Sequence, residues 1–346
     1  MTSTSTTERR HAARRAPRGP VVVAASLALV VAAVLVGLFV GGRPTSPVEV
    51  LGVLTGNSEL ELRAIVGEIR LPRTLAAVIA GLGLGLAASL LQTVTRNPVA
   101  DAGLLGSNAG ATVMIAIGMA SGFAADFAAQ SAWALTGAFV ATGLVSVIGL
   151  SGRFYSPTRL ILFGVALSAV LTGITTGIML AVPEAFDGMR SWLSGSMVGV
   201  PVESASYGAV MVAASLTLAM CIARPLEVTL LGDDLARALG TRLFVTRALA
   251  VVAVAIAAAT ATALVGPIGF VGLIAARAAA LAASRLGLSP GCRYILSASL
   301  CAALLLGADL VGRVALWPGE LPAGIVAAIV GAPFLLWIVR RTRSLT

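Results

Sequence analysis

Side chains that could carry out covalent or metal chemistry are scarce in this sequence. His11 is the one histidine and stands in a polar N-terminal stretch, so it cannot by itself build a metal site or an acid–base site. Cys221, Cys292 and Cys301 lie in or beside apolar runs without CxxC spacing, which argues against a zinc site or a disulfide framework. We therefore expect no catalytic residue, no metal site and no cofactor.

Hydrolysis of nucleotides by this chain is disfavoured by residue type as well. All 24 basic residues are arginine, whereas the P-loop pattern G-x-x-x-x-G-K-[ST] requires a lysine. The zinc-protease pattern HExxH is missing too. An enzymatic role would need an unfamiliar intramembrane acid chemistry, which is a minor alternative.

Charged side chains within the apolar runs are few, and each is costly at the middle of a membrane. Asp309 and Arg313 stand at i, i+4 with the acid first, the favourable order for an ion pair on one helix face. The sequence leaves open whether that pair serves helix stability or function. Arg277 lies within "GLIAARAAALAAS", where snorkelling or a partner on another helix is favoured over contact with a substrate.

Hydropathy places these residues in a polytopic membrane protein. Hydrophobic residues make up 58% and charged residues 11% of the 346 residues, and the mean hydropathy is +0.98. Apolar runs of about 20 residues, the length that a helix needs to cross hydrocarbon, recur along the chain. We predict an all-α fold with ten spans, at roughly 20–40, 74–94, 108–122, 131–150, 158–182, 205–223, 244–265, 268–284, 292–312 and 321–339. Small residues, as in "AGLGLGLAAS" (80–89), predict close helix packing.

The distribution of arginine predicts the topology. Residues 1–19 are polar and basic and are expected to form a disordered cytoplasmic tail, followed by a single transmembrane domain over 20–346. The first apolar run is longer than the core of a signal peptide, so an uncleaved span is favoured over a cleaved signal. Ten spans place both termini in the cytoplasm, in keeping with the basic C-terminal "VRRTRS". The net charge of +9 lies in the tail and loops and does not form a face for nucleic acid.

A short polar helix is predicted between two apolar runs, in "LLGDDLARALGTR" (230–242). Leu and Ala recur there at helical spacing, and Asp233 and Asp234 complement the positive end of such a helix. Gly232 and Gly240 bracket it as breakers. By the predicted topology it is cytoplasmic, where it either contacts another protein or is an ordinary solvated loop helix.

Several stretches together carry a resemblance to a known family. They are "RLPRTLAAVIAGLGLGLAASLLQTVTRNPVADAGLLGSNAGA" (70–111), "LGDDLARALG" (231–240), "GPIGFVGLI" (266–274) and "GADLVGRVALWPGELPAGIVAAIVGAPF" (307–334). In order and spacing they resemble the FecCD family, the permease subunits of binding-protein-dependent ABC importers for iron–siderophore complexes, haem and vitamin B12. The resemblance implies an importer permease of the vitamin B12/siderophore type over nearly the whole chain after the tail.

The resemblance also implies roles for two groups of residues. In the family a coupling helix docks in a groove of the ATPase subunit, and the matching residues here are Gly232, Asp233, Asp234, Ala236, Leu239 and Gly240. Outward-facing arginines of the family pair with glutamates of the substrate-binding protein, and the matching residues are Arg70, Arg73 and Arg313. Anchoring of lipid headgroups is the alternative for these arginines.

A break in the chain is predicted after the second span. Pro98 biases Asn97 away from helix, and irregular backbone at membrane depth must line protein or water. We therefore expect Asn97 and Pro98 near the inner mouth of a translocation path. Gln92 resembles the family's glutamine at this position and is predicted to face that path, with interhelical hydrogen bonding as the alternative.

One stretch departs from the family pattern. After "GFVGLI" many relatives have Pro-His and, three residues later, Arg, where this chain has Ala276, Arg277 and Ala280. Whatever the Pro-His pair does in relatives cannot be carried over to this chain.

The implied function is import of a ferric siderophore across the cytoplasmic membrane, with haem or cobalamin as alternative cargo. The implied partners are ABC ATPase subunits, an extracytoplasmic substrate-binding protein and a second permease subunit, identical or a sister chain, within the lipid bilayer. A secondary transporter without an ATPase would need acids or histidines buried in mid-span as ion sites. These spans have almost none.

Overall fold

The chain folds into a bundle of helices. The computed structural model describes residues 18–41, 45–55, 60–150, 157–316 and 319–343, and within these ranges it contains helices and turns without a strand. Of the predicted tail, 1–19, all but the last two residues lie outside the described ranges.

Ten helices correspond to the ten predicted spans. They are α1 (Arg18–Phe39), α2 (Leu71–Thr95), α3 (Ser107–Ala120), α4 (Phe127–Leu150), α5 (Pro157–Ala181), α6 (Val202–Val228), α7 (Leu243–Val265), α8 (Val271–Leu286), α9 (Pro290–Ala315) and α10 (Ala323–Arg343). Seven helices of the described chain are long and apolar enough to cross a membrane, and Ser107–Ala120 and Ala323–Phe334 are shorter apolar helices. The predicted all-α membrane fold is confirmed.

Several short helices were not predicted, because hydropathy detects spans and these segments are too short or too polar to be spans. They are Pro47–Leu54, Leu60–Arg63 with the π-helix Ala64–Arg70 that runs into α2, the 3₁₀ turns Ala102–Leu105 and Thr229–Leu231, and Pro183–Leu193. The predicted polar helix does form, at Asp233–Ala238.

Two helices, α2 and α7, occupy the centre of the bundle. In the most apolar part of Leu60–Thr95, which contains α2, 83% of the residues are buried, against 11% in α5. The main neighbours of α2 are α6, α7, α8 and α9, and α1 also packs against it. The open face of α5 is therefore free to meet lipid or another protein, whereas α2 is enclosed by protein.

Glycines let α2 approach its neighbours at backbone distance. A Cβ atom at Gly81 or Gly85 would stand closer than 3.0 Å to the backbone of α9, and one at Gly83 would be 2.8 Å from the carbonyl oxygen of Ala257 in α7. Ser297 Oγ of α9 donates to the carbonyl oxygen of Gly85 at 2.7 Å. The close packing predicted for residues 80–89 is thus confirmed, with Gly81 and Gly85 on one face and Gly83 on another.

Local chain chemistry ends α2 and begins α9. The last helical residue of α2 is Thr95, Arg96 takes the left-handed conformation at φ +52°, and the predicted break before Pro98 is confirmed. At the start of α9, Ser289 Oγ accepts a hydrogen bond from the backbone N–H of Cys292. Residues 287–291, GLSPG, have the G-x-S-x-G spacing of hydrolase nucleophile elbows, but here they form a helix–helix turn and not a strand-to-helix elbow.

Candidate functional site

The Asp233–Ala238 helix connects α6 to α7 at one end of the bundle, called here the Asp233 end. Gly232 and Gly240 flank it with φ +108° and +81°, values that glycine adopts without steric cost. Leu235 is 48% and Leu239 is 60% exposed, whereas Ala236 is buried. The helix therefore presents two apolar side chains outward, away from the bundle.

Asp233 joins this helix to both central helices. Arg247 of α7 donates from Nη2 to Oδ1 at 2.7 Å and from Nη1 to Oδ2 at 3.0 Å. Arg96, the residue after α2, donates from Nη2 to Asp233 Oδ1 at 2.6 Å and also to the carbonyl oxygen of Thr229. The Arg247 side chain is buried and that of Asp233 is 31% exposed, so the two-point pair is partly shielded from water. One carboxylate thus connects the short helix to the adjoining ends of α2 and α7.

The protonation of Asp233 follows from these contacts. The pKa of its carboxyl is held below the usual value, chiefly because Arg247 donates hydrogen bonds to the charged form. The hydrogen bond from Arg96 and the charges of both arginines act in the same direction, and partial burial opposes them. The carboxylate is consequently ionised at neutral pH. Asp234, by contrast, points outward and pairs with Arg237 at 2.9 Å, an exposed i, i+3 contact of little energetic weight.

Asp309 forms a buried ion cluster at the opposite end, about 35 Å away along α2, called here the Asp309 end. Arg73 of α2 donates to Oδ1 from Nε at 2.9 Å and from Nη2 at 2.8 Å. Arg313 donates to Oδ2 from Nε at 2.9 Å and from Nη2 at 2.6 Å. A second acid, Glu320, accepts from Arg73 Nη1 at 2.6 Å, and its side chain is 42% exposed. The cluster joins α2, α9 and the connection to α10.

The three arginines predicted to dock a binding protein are brought together at this end, and all three are buried. Arg70 Nη1 donates to the carbonyl oxygen of Leu38 at 2.9 Å, and Arg313 Nη1 donates to that of Gly37 at 2.8 Å. They thereby satisfy carbonyl groups in the last turn of α1. Their guanidinium groups are bonded within the chain, and docking through Arg70, Arg73 and Arg313 stays a prediction.

The residues predicted to line a path lie at the Asp233 end. Gln92 and Pro98 are on the wall of a cavity of about 310 Å³. Asn97 lies beside it, and its Oδ1 accepts from the backbone N–H of Val99 at 3.0 Å. Ala276, Arg277 and Ala280, the positions that depart from the family pattern, are on the same wall. Arg277 therefore lies level with the last turns of α2.

A second groove runs between α3 and α5. Its volume is about 430 Å³, and its wall is rich in hydroxyl and amide groups. The polar residues of that wall are Asn108, Thr112, Ser168, Thr172, Thr175 and Thr176. It adjoins the exposed face of α5, and Thr175 and Thr176 of its wall donate to carbonyl oxygens of their own helix.

Sequence reasoning did not identify Arg96, Arg247, Glu227, Arg293 or Glu320 as partners in ion pairs. Arg293 Nη2 lies 2.9 Å from Glu227 Oε2, again joining two helices at the Asp233 end. The one signal in the sequence for these residues was their position next to the end of an apolar run. That position does not specify which of the many loop charges form ion pairs with each other. Within the described ranges no three His, Cys, Asp or Glu side chains are grouped to hold a metal ion.

Comparison with known proteins gives the family. A model of the FecCD transport family matches residues 29–341. The chain belongs to the FecCD transport family. Its relatives in that family include the ferric enterobactin transport system permease protein FepD of Escherichia coli strain K12, 40% identical over 324 residues, which cover 93% of this chain and 95% of the relative.

Two other FecCD relatives differ in the cargo that their names state. The Fe(3+) dicitrate transport system permease protein FecC of Escherichia coli strain K12 is 32% identical over 84% of this chain and 87% of its own length. The vitamin B12 import system permease protein BtuC of Citrobacter koseri is 33% identical over 80% of this chain and 83% of its own length.

A solved structure of similar fold is described as an inward-facing conformation of a metal-chelate type ABC transporter. It is 23% identical, covers 93% of this chain and 99% of its own, and superimposes with a TM-score of 0.80. The two chains therefore share a fold over nearly the whole length of this one.

Proposed function

We propose that this FecCD protein is the permease subunit of a binding-protein-dependent ABC importer that moves a ferric siderophore across the cytoplasmic membrane. The proposal of cargo is supported by the similarity to permeases named for ferric enterobactin and ferric dicitrate. ATP would be hydrolysed by partner subunits, since this chain lacks the lysine of a P-loop. In the proposed topology both termini and the Asp233 end are cytoplasmic, and the Asp309 end is outer.

The observation that carries the proposal is the position of Asp233. Its carboxylate is bonded to Arg247 of α7 and to Arg96 at the end of α2, the two central helices of the bundle. A partner that binds the exposed Leu235 and Leu239 would therefore be connected, through Asp233, to the two central helices of the permease. A movement of the partner would displace those helices as well as the short helix. That linkage suits transmission of an ATP-driven motion, and coupling of this kind is reciprocal.

The proposed coupling surface consists of Gly232, Asp233, Asp234, Ala236, Leu239 and Gly240, together with Leu235. Its members divide into two kinds. Asp233 and Ala236 face the bundle and fix the helix, while Asp234, Leu235 and Leu239 face outward and would meet the ATPase. Gly232 and Gly240 allow the chain to turn before and after the helix, because both have positive φ.

Transport would take place between two permease subunits, this chain and a second copy or a sister chain. The open face of α5 is available for such a path, and the hydroxyl-lined groove beside it offers groups that can bond a polar chelate. Gln92, Asn97 and Pro98 would lie near the inner mouth of the path.

A loaded binding protein would dock at the Asp309 end. Glu320 is the half-exposed member of the ion cluster and Arg73 its buried partner. We propose that a glutamate of the binding protein competes with Glu320 for Arg73, with Arg70 and Arg313 keeping the site positive. Bidentate pairing with carboxylates is a property of arginine that suits this exchange.

Import of cobalamin by the same machinery is the second candidate, favoured by the 33% identity to a vitamin B12 import permease. Cells lacking this gene, and the same cells supplied with wild type or Leu235→Asp, would be tested for uptake of radiolabelled iron as a panel of ferric siderophores, with labelled cobalamin and haem alongside.

The proposal predicts loss of uptake of one ferric siderophore, restored by wild type and not by Leu235→Asp at equal amounts in the membrane. If deletion abolishes only the uptake of cobalamin or haem, the proposed cargo is wrong and the proposed importer mechanism stands. If deletion changes none of these uptakes, the proposed function is wrong.

A further inference from the structure

The cavity at the Asp233 end is lined by arginines. Its volume is about 310 Å³, and Leu230, in the turn before the Asp233–Ala238 helix, is part of its wall. Arg96, Arg277 and Arg293 line it from three different chain segments. Such a concentration of guanidinium groups attracts an anion, because Arg presents planar pairs of donors that match a carboxylate.

Positive charge on this wall is not fully neutralised by the protein itself. Arg96 is paired with Asp233 at 2.6 Å and Arg293 with Glu227 at 2.9 Å. Arg277 makes no hydrogen bond or ion pair with any residue of the described ranges. The wall thus carries one arginine more than the carboxylates that pair with it.

Arg277 is more buried than the other arginines that have no partner in the described part of the chain. Those others, Arg190, Arg224, Arg242 and Arg285, are exposed and can be solvated fully. Arg277 is half-buried on the cavity wall. Withdrawing a cation from water without an acceptor costs free energy, so the position favours an anion brought in from outside the chain.

The place of the cavity indicates where that anion comes from. It lies at the end of α2, whose most apolar part is buried mainly among α6, α7, α8 and α9, and so it is bordered by protein and by the turn before the Asp233–Ala238 helix. Leu230 leads directly into the Asp233–Ala238 helix, and Arg96 on the wall holds that helix through Asp233. Any protein that receives the helix is therefore brought against the cavity.

We propose that the cavity is a second docking point for the ATPase subunit, which inserts an aspartate or glutamate side chain onto Arg277. The inference rests on the proposed function, because it requires an ATPase at the Asp233 end. Arg277 is then a positioning residue at the interface: it strengthens assembly of the importer and fixes the orientation of the ATPase on the Asp233–Ala238 helix.

The test uses the permease reconstituted in nanodiscs with the ABC ATPase of its own importer. The dissociation constant for the ATPase would be measured for wild type, Arg277→Gln, Arg277→Glu and the control Arg285→Glu, which makes the same charge change at an exposed position of α8 outside the cavity. We expect Arg277→Gln to weaken binding about tenfold, Arg277→Glu to weaken it further, and Arg285→Glu to leave it within twofold of wild type.

A charge-swap search then identifies the partner group. Single Asp→Arg or Glu→Arg substitutions in the ATPase are screened for rescue of Arg277→Glu, and one rescuing position is expected. Equal binding by wild type and Arg277→Glu overturns the proposal, as does equal weakening by Arg285→Glu or a screen without rescue. If Arg277→Glu binds the ATPase as wild type does but imports less substrate, Arg277 contacts the transported chelate, and the docking proposal is overturned as well. If wild type itself binds no ATPase, the proposed function fails instead.

Discussion

Arg73 and Asp309 lie 236 positions apart in the sequence, yet Nε and Nη2 of the arginine stand 2.9 and 2.8 Å from one oxygen of the carboxylate. The pair joins α2 to α9 at the outer end of the proposed topology, and Arg313 occupies the other carboxylate oxygen at 2.6 Å. Asp309 is 1% exposed and is shared by two buried cations, with Glu320 supplying the second negative charge of the cluster.

Replacing Asp309→Asn should destabilise the protein strongly. The change leaves Arg73 and Arg313 without their shared buried anion, a type of loss that costs about 3 to 5 kcal/mol. The measurement is the thermal midpoint of unfolding in nanodiscs, followed by intrinsic fluorescence. Asp187→Asn, at an exposed position, is the control and should leave the midpoint unchanged. A midpoint unaffected by Asp309→Asn would show that the cluster does not hold these helices.

Replacing Glu320→Gln should strengthen docking of the substrate-binding protein. Glu320 accepts from Arg73 Nη1 at 2.6 Å, and the neutral amide of glutamine is a weaker acceptor that a glutamate of the partner can displace. We expect the dissociation constant for the loaded binding protein to fall severalfold. Glu203→Gln, an exposed acid at the start of α6 and at the same end, serves as control. Weaker docking by Glu320→Gln would mean that Glu320 itself makes the contact.

The ion pairs of Asp233 should be insensitive to pH over the physiological range. Since the folded-state pKa of this carboxyl is lowered, its stabilisation is complete above the unfolded value of about 3.9 and is lost as pH falls through the folded value. The difference in thermal midpoint between wild type and Asp233→Asn should therefore be constant from about pH 8 to about pH 5 and shrink only below about pH 4. A difference that varies between pH 5 and 8 contradicts the assignment.

Replacing Gly81→Val should be poorly tolerated. A Cβ atom at Gly81 would stand closer than 3.0 Å to the backbone of Ala302, so α2 and α9 must separate to admit it. We expect a loss of about 1 to 3 kcal/mol or more, as for other overpacked cores, read from the thermal midpoint. The matched substitution Gly307→Val, in α9 itself, meets open space and should have a small effect. Similar losses for both would argue against close packing as the cause.

Removing hydroxyl groups from the groove beside α5 should lower import while leaving stability intact. In Thr172→Val/Thr176→Val both side chains are exposed, and Thr176 Oγ1 bonds its own helix at 3.0 Å. We expect uptake to fall severalfold with an unchanged thermal midpoint, since the lost groups would bond the chelate. Thr217→Val, an exposed residue of α6 with the same intrahelical bond at 2.9 Å, is the matched control. Equal uptake by wild type and all variants would show that the groove is not part of the translocation path.

The sequence by itself determined the ten helices, because a run of apolar residues long enough to cross hydrocarbon is a local property that needs no partner. It also determined the polar helix at Asp233–Ala238 and the break after Thr95, since glycine and proline act on the backbone where they stand. The close approach at Gly81 and Gly85 followed from the same local reasoning.

Only the tertiary structure decided which charges meet. Arg70, Arg73 and Arg313 were predicted to contact a binding protein, and the fold also bonds them to α1 and Asp309, which the sequence did not indicate. Asp233 was expected to complement its own helix, and it also binds Arg96 and Arg247. The physical reason is that an ion pair depends on distance in space, and helices of a bundle bring together residues that the sequence separates by tens or hundreds of positions.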